Sequence, residues 1–255
     1  MEFVDTHCHI QFPDYELDPE EVIKAATDDG VTKIMAVGST MSDSRAAVTI
    51  AQNNRNIWAS IGLHPHEGSK YVHDHGALQQ FHELASKPRV VAIGETGLDY
   101  HYNHSSKQDQ IKLLRFQLDI AQEHGLPLIF HIRVAFEAFW PIFDSYKGLK
   151  GVVHSFSAHR EQLDQILSRG LYVGLNGIMT FTRDQRQLEA ARAAPLDRLL
   201  LETDAPFLTP VPFRGTICQP KHVVETAKFL AELRGESLEL FAAQTTRNAT
   251  TLFRL

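Results

Sequence analysis

The chain has few cysteines and no long apolar run. Only two cysteines, Cys8 and Cys218, occur among 255 residues, which is too few for a disulfide framework and predicts a reducing, cytoplasmic location. No apolar run approaches the roughly 18 residues that a membrane helix requires. The first residues, MEFVDTHCHI, contain no basic region followed by an apolar core, so we expect neither a secretory signal nor membrane association.

An excess of positive charge is also missing. The chain has 25 Lys and Arg against 31 Asp and Glu, a formal net charge of -6, and no stripe rich in Lys and Arg. This composition argues against a broad basic surface for long duplex nucleic acid. A phosphate-containing substrate remains compatible, because bound divalent cations can supply positive charge locally. The 14 histidines include candidate metal ligands, although scattered surface histidines could account for many of them.

No low-complexity stretch or Gly/Ser linker divides the sequence, so residues 1–255 are predicted to form a single domain. Short apolar runs, which predict strands, alternate with longer amphipathic runs, which predict helices. The predicted strands are Glu2–Ile10, Thr32–Gly38, Ile57–Pro65, Val90–Asp99, Pro127–Ile132, Lys150–Phe156, Leu171–Asn176 and Leu199–Pro206. The predicted helices are Pro19–Gly30, Asp43–Asn54, His75–Ser86, Lys107–Gly125, Ala135–Tyr146, His159–Arg169, Arg183–Ala194, Gln219–Leu233 and Ser237–Leu252.

This alternation predicts a parallel sheet covered by helices. Eight strands favour a closed (β/α)8 TIM barrel over an open doubly wound sheet, the alternative that strand counting leaves open. In such a barrel the active site lies at the carboxyl ends of the strands. Polar side chains at those ends are therefore the candidate site residues.

The first predicted strand ends in DTHCH at residues 5–9. Because side chains alternate along a strand, Asp5, His7 and His9 are expected on one face, where two imidazoles can bind one cation. A His-x-His pair also arises by chance. This motif alone therefore leaves a metal site and a purely structural pair open.

The other strand ends carry ligand types as well. Glu95 ends an apolar strand, where a buried carboxylate is either paired in a salt bridge or bound to a cation. His131 and His154 occupy matching positions on consecutive strands, which favours ligands over hydrogen-bonded core histidines. Asp204 lies near the end of the eighth strand, with Glu202 on the same face one layer deeper, where it could support a ligand histidine. Four histidines and two carboxylates together suit a two-ion site with shared ligands.

These motifs resemble those of the TatD family of metal-dependent deoxyribonucleases and related hydrolases. The similar segments are DTHCHI at Asp5, GLHPH at Gly62, GETGLDY at Gly94, PLIFHIR at Pro127, VVHSFS at Val152, LLLETDAPFLTP at Leu199 and the final TRNATTLF. The resemblance implies a (β/α)8 barrel and phosphodiester hydrolysis, typically of DNA. It also implies that His7, His9 and Asp204 hold one ion, that His131 and His154 hold the other, and that Glu95 bridges both.

Two further residues are candidates for substrate binding. The resemblance implies that His64, after the third strand, lies near the substrate phosphate, although His64 and His66 could instead form a capped turn around Pro65. Arg133 could contact a phosphate or form a surface ion pair.

The chain departs from the family pattern at Thr96, where an aliphatic residue is usual, and at Cys218 and Gln219, where asparagine and glutamate are common. The ligands are unchanged, so hydrolytic chemistry is still expected. Substrate preference is open, because the loop with Cys218 is expected to line the pocket mouth. Cys218 is disfavoured as a nucleophile because no base partner is evident.

The expected mechanism uses two cations about 3.5–4 Å apart, which would lower the pKa of a bridging water from 15.7 towards roughly 7. Asp204 is the candidate proton acceptor, and Glu95 and His64 complete the catalytic set. Zinc, manganese and magnesium all remain compatible with these ligands. Neutral imidazoles are required for ligation, so metal affinity should fall below about pH 6.

Alternatives remain. The same hydroxide could attack a carbonyl carbon, which would make the chain an amidohydrolase, esterase or lactonase. A non-catalytic binding module is disfavoured because every expected ligand is present. If DNA is the substrate, a single strand or a chain end is favoured over a duplex tract, which would require a basic stripe. The sequence indicates no protein partner.

Overall fold

The computed structural model of the protein describes residues 1–102 and 104–255. Eight strands follow one another in chain order within one parallel sheet. They are β1 (Phe3–Cys8), β2 (Val31–Val37), β3 (Ile57–Ile61), β4 (Val90–Asp99), β5 (Leu128–Arg133), β6 (Gly151–Val153), β7 (Tyr172–Leu175) and β8 (Leu199–Leu201). A parallel bridge between Cys8 and Ala205 brings the chain after β8 back to β1. The predicted (β/α)8 barrel is confirmed.

Helices alternate with the strands as predicted. They are α1 (Pro19–Asp28), α2 (Met41–Asn53), α3 (Gly68–Tyr71), α4 (His75–Leu84), α5 (Lys107–His124), α6 (Phe136–Phe143), α7 (Arg160–Ser168), α8 (Ile178–Phe181), α9 (Gln185–Ala193), α10 (Val223–Arg234) and α11 (Leu238–Phe253). The short helices α3 and α8 were not predicted, because four residues show no helical period. The helix predicted from Gln219 begins with a 3-10 turn at Pro220–His222.

The chain divides into two compact units. The first unit comprises residues 1–36 and 154–255, and the second comprises residues 37–153. The single domain over residues 1–255 stays a prediction. Among the described residues, none of the helices combines the length and the apolar character needed to span a membrane.

In the first unit, β1 is buried along its whole length and is joined to the segment around β8. Thr6 Oγ1 donates a hydrogen bond of 2.9 Å to the Leu201 carbonyl oxygen. Farther along, the Asp204 amide donates to the His7 carbonyl over 2.8 Å and the His9 amide donates to the Ala205 carbonyl over 2.7 Å. These bonds hold the residues that follow β8 beside the end of β1.

Both of these strands end earlier than predicted. The first was expected to reach Ile10 and the eighth to reach Pro206, but β1 ends at Cys8 and β8 at Leu201. Asp204 has a positive φ of 62°, which a β-strand does not tolerate. The prediction that Glu202 and Asp204 share one face of a strand is therefore wrong, because both residues lie beyond β8.

In the second unit, β4 pairs with β5 so that Gly97 lies opposite His131 and Asp99 opposite Arg133. Gly97 has a φ of 153°, and a Cβ atom there would lie 1.8 Å from the His131 carbonyl oxygen. Only glycine fits at this position. The third strand, predicted to reach Pro65, ends at Ile61, because His64 and Pro65 belong to a 3-10 turn.

Candidate metal-binding side chains

Three predicted ligands of the first unit converge where β1 ends and in the segment that follows β8. His7 Nε2 and His9 Nε2 are 3.2 Å apart, and Asp204 Oδ1 is 3.7 Å from the first and 3.4 Å from the second. Ligands about 2.1 Å from an ion at tetrahedral angles lie roughly 3.4 Å from one another. The three donor atoms therefore have the spacing that a divalent ion requires.

Asp204 is kept ionised by its neighbours. Burial acts to raise its pKa, but the hydrogen bond with His9 and the charges of His7 and His154 outweigh burial and hold the pKa below its usual 3.8. Its left-handed backbone costs on the order of 1 kcal/mol, and the bond from its amide to His7 fixes that conformation. The fold thus maintains a strained residue whose carboxylate faces two imidazoles.

His154 adds a further imidazole to this cluster. Its ring stacks on that of His7, with centroids 4.0 Å apart and an interplanar angle of 11°. His154 Nδ1 lies 3.7 Å from Glu202 Oε1, which accepts a 2.5 Å hydrogen bond from the Ser155 amide. Glu202 was predicted to support a ligand histidine. At 3.7 Å its contact with His154 is an ion-pair distance rather than a hydrogen bond.

Asp5 lies behind the cluster, fully buried. Its carboxylate accepts hydrogen bonds from the Thr203 amide at 2.9 Å, the Thr203 hydroxyl at 2.6 Å and the His7 amide at 3.3 Å. Burial raises its pKa to about 8 despite those bonds. Asp5 thus connects the backbone at His7 with the residue preceding Asp204.

The second unit has its own donor set. Glu95 Oε1 lies 2.8 Å from His131 Nδ1 and 3.5 Å from His64 Nε2. Each of the three residues can place one donor atom within 4.8 Å of the others. The Glu95 side chain is nearly buried, with 7% of its surface exposed. A divalent ion is one way to offset the cost of burying that charge.

Asp99 is a residue of this set that the sequence analysis missed. Its Oδ2 lies 3.1 Å from His131 Nε2 and 3.0 Å from His66 Nε2. Burial acts to raise the pKa of Asp99, but hydrogen bonds, first among them that of His131, hold the pKa well below its usual range. A signal was available, because Glu95, Gly97 and Asp99 alternate along β4 and therefore share one face.

His64 forms a capped turn, the alternative to substrate binding that the sequence leaves open. Its Nδ1 accepts a 3.2 Å hydrogen bond from the His66 amide and caps the 3-10 turn Pro65–Glu67. Burial lowers the pKa of His64 to about 4, so its ring is neutral at pH 7. Because Nδ1 accepts, the proton of the neutral ring is on Nε2. That nitrogen faces Glu95 as a donor, which argues against His64 as a metal ligand.

Two buried glutamines of α5 fix the backbone around these residues. Gln117 accepts a 2.8 Å bond from the Leu63 amide and donates a 2.9 Å bond to the Leu63 carbonyl. Gln110 accepts from the Asp99 amide and donates to the Asp99 carbonyl, both at 2.9 Å. Gln110 thus satisfies the amide and the carbonyl of Asp99. Gln117 does the same for Leu63, the residue before His64. The sequence does not reveal this role, because a glutamine within a helix usually faces solvent.

Comparison with known proteins identifies the family. Residues 4–254 match the family described as TatD related DNase. The chain belongs to that family. Its relatives include the uncharacterized metal-dependent hydrolase YabD of Bacillus subtilis, 36% identical over 253 residues, or 98% of each chain. A 3'-5' ssDNA/RNA exonuclease TatD of Erwinia amylovora is 35% identical over 262 residues, covering 98% of this chain and 99% of the relative.

A solved structure agrees with this assignment. The crystal structure of YjjV, a TatD homologue from Escherichia coli K12, superposes with a TM-score of 0.91 at 31% identity, covering 99% of this chain and 98% of that one. The chain is thus a metal-dependent hydrolase of the TatD family. The number and identity of its metal ions stay a prediction.

Cys218 and Gln219, two of the three positions that depart from the family pattern, make structural contacts. Cys218 is fully buried, and burial raises the pKa of its thiol far above the usual range. Its amide donates to the Pro206 carbonyl over 3.0 Å. A buried neutral thiol is a poor nucleophile, which agrees with its disfavoured catalytic role. The Gln219 amide donates to His222 Nδ1 at 3.2 Å, at the start of the turn before α10.

Arg133, the other candidate for phosphate binding, is exposed at the end of β5. Its guanidinium lies over the ring of Tyr102, 4.7 Å from the centroid. A cation–π contact at an exposed site contributes about 0.5–1 kcal/mol, which a phosphate could displace. Its role in substrate binding stays a prediction.

Proposed function

We propose that this TatD family member is a divalent-metal-dependent phosphodiesterase that acts on single-stranded DNA or on DNA ends. The observation that carries the proposal is the pairing of imidazoles with a carboxylate in each unit. His7, His9 and Asp204 form one set, and Glu95 with His131 forms the other. His7 and His131 lie near the ends of β1 and β5, His9 and Asp204 follow β1 and β8, and Glu95 lies within β4. Enzymes of this fold bind their substrates at the carboxyl ends of the barrel strands.

In our proposal His7, His9 and Asp204 would hold one ion, His131 and His154 would hold a second, and Glu95 would be a ligand shared by both. Imidazoles and carboxylates together suit zinc and manganese, and carboxylates with phosphate also suit magnesium. When bound, two divalent ions supply an activated water and the positive charge that neutralises phosphate oxygens.

Asp204 is the proposed proton acceptor. Its pKa lies below 3.8, so the carboxylate is ionised at neutral pH and can take a proton from the attacking water. The positive φ of this residue and its backbone bond to His7 fix the direction of the carboxylate. Asp204 would therefore orient the water as well as accept its proton.

His64 is the proposed donor to a non-bridging phosphate oxygen. Its Nδ1 is engaged by the His66 amide, so the neutral ring presents Nε2–H, which would turn from Glu95 Oε1, 3.5 Å away, to a phosphate oxygen when substrate binds. A preorganised donor of this kind stabilises the charge that develops on the phosphate. Arg133 would contact a phosphate farther along the strand, at the exposed end of β5.

The proposed substrate class rests on charge and on the named relatives. The net charge of -6 and the absence of a basic stripe disfavour long duplexes. The Erwinia amylovora relative is named for single-stranded DNA and RNA. We therefore include short single strands of RNA beside those of DNA in the proposed substrate class, with hydrolysis starting from a chain end.

A reconstituted enzyme tests the proposal. Metal-free protein would be loaded separately with zinc, manganese and magnesium, then assayed on end-labelled single strands, matched duplexes, phosphomonoesters, and amide, ester and lactone substrates. We expect metal-dependent release of nucleotides from single strands. Preferred turnover of a carbonyl substrate would instead establish the amidohydrolase, esterase or lactonase alternative.

Glu95→Ala serves as the blank, with Glu189→Ala as the matched control on the exposed face of α9. If Glu95 bridges two ions, its removal should lower both the metal content and the turnover, whereas the Glu189 variant should match the native protein. An unchanged metal content in Glu95→Ala would contradict the bridge.

A further inference from the structure

A third cluster of ligand-type side chains lies on two helices of the second unit. His82 comes from α4, and Glu123 and His124 are the last two residues of α5. Each residue can bring one donor atom within 4.8 Å of the donor atoms of the other two. None of the three belongs to the donor sets at the strand ends.

The contacts within this cluster are close. His82 Nε2 lies 3.0 Å from Glu123 Oε2, with 44% and 60% of the two side chains exposed. The rings of His82 and His124 have centroids 5.4 Å apart. A carboxylate and two imidazoles are thus gathered from two helices.

His124 gives the cluster a feature that a surface salt bridge does not explain. Its Nε2 is shielded from solvent and has no hydrogen-bond partner among the described residues. A salt bridge accounts for His82 and Glu123 but leaves His124 without a role. A metal ion uses all three side chains, and no protein hydrogen bond to Nε2 has to be broken to recruit the His124 ring.

We propose that His82, Glu123 and His124 form an additional divalent-metal site. Two imidazoles and one carboxylate are a ligand set used for zinc, with water in the remaining position. Imidazole ligands favour zinc, copper or nickel over magnesium and calcium. The donor atoms lie within 4.8 Å of one another, and rotamer changes of the exposed His82 and Glu123 side chains can bring them to the spacing of metal ligands.

The site would be structural. An ion there ties α4 to the carboxyl end of α5, the helix that carries Gln110 and Gln117. Because an ion that binds only the folded chain stabilises it by mass action, zinc should raise the melting temperature through this site. Hydrolysis should not depend on it, since none of the three side chains belongs to the proposed reaction site.

Zinc counting tests the proposal. Native protein and the variants His82→Ala and His124→Ala would be dialysed to equilibrium against micromolar free zinc, and bound zinc would be measured by mass spectrometry. We expect His82→Ala and His124→Ala each to hold one zinc ion fewer per chain than the native protein. His75→Ala, an exposed histidine of the same helix α4, is the matched control and should keep the native count.

Two further measurements make the result decisive. The zinc-dependent rise in melting temperature should be smaller in His82→Ala than in His75→Ala, and both should keep native turnover. Equal zinc counts in the native protein and His82→Ala would overturn the site. Native turnover in His82→Ala leaves the proposed hydrolase intact whichever way the count falls, so the two proposals can fail separately.

Discussion

Asp99 places Oδ2 3.1 Å from Nε2 of His131. The same histidine has its Nδ1 2.8 Å from Glu95. A carboxylate that holds one nitrogen of an imidazole fixes the orientation of the ring and increases the basicity of the other nitrogen. Asp99 is thus a positioning residue for the second donor set rather than a surface acid.

Removing this carboxylate should weaken metal binding. We expect Asp99→Asn to lower metal affinity or turnover by about 10–100-fold, the usual effect of losing such a partner. Metal titration of the purified variant followed by single-strand hydrolysis would measure both. Asp197→Asn, an exposed aspartate, is the control. Native metal affinity and turnover in Asp99→Asn would show that His131 is oriented without it.

His64 should affect catalysis without affecting the metal content. If its Nε2–H donates to the phosphate, His64→Ala should lower kcat by about 10²–10³-fold, as does loss of one preorganised donor. The bound metal should be unchanged, because Nδ1 is engaged in capping. His73→Ala is the exposed control. Loss of an ion from His64→Ala would identify His64 as a ligand and contradict our assignment.

Gln117 should contribute to both stability and activity. In Gln117→Met the Leu63 amide and carbonyl lose their buried partner, and each unsatisfied group costs about 1–3 kcal/mol. Because two groups are affected, the free energy of unfolding measured in urea should fall by at least about 1–3 kcal/mol. Turnover should also fall, because His64 directly follows Leu63 and depends on the position of that backbone. Gln108→Met, exposed on α5, should be neutral. A native unfolding midpoint in Gln117→Met would show that the Gln117 side chain does not stabilise the backbone at Leu63.

His222 should make the folded state sensitive to acid. Burial, aided by the charge of Lys221, lowers its pKa from 6.5 to about 4. The unfolded chain therefore binds a proton below pH 6.5 that the folded chain binds only below about 4. Stability is lost as the pH falls through that window, by up to about 3 kcal/mol.

The variant His222→Asn isolates this effect, because its amide oxygen can still accept from Gln219 while the titration is gone. Urea unfolding of metal-free protein between pH 4 and 7 should show a shallower loss of stability than in the native chain. His75→Asn should keep the native slope. Parallel pH profiles for native protein and His222→Asn would show that another group causes the acid sensitivity.

The sequence by itself determined the class of fold and the identity of the ligand candidates. Apolar runs have a period that reveals strands whether or not their partners are known, so all eight strands were found. Helix ends were also readable locally. Asp18 accepts a bond from the Glu20 amide, and Gly125 ends α5 with a φ of 62°, because caps depend on neighbouring residues alone.

Only the tertiary structure decided how these side chains are oriented. The positive φ of Asp204 depends on backbone bonds to β1, which is almost two hundred residues away in sequence. Asp99 acquires its role because β4 pairs in register with β5, and Gln117 because α5 packs where Leu63 turns. Local periodicity carries no information about such distant partners. Hydrogen bonds between remote segments, which form only on folding, fix the geometry on which the chemistry depends.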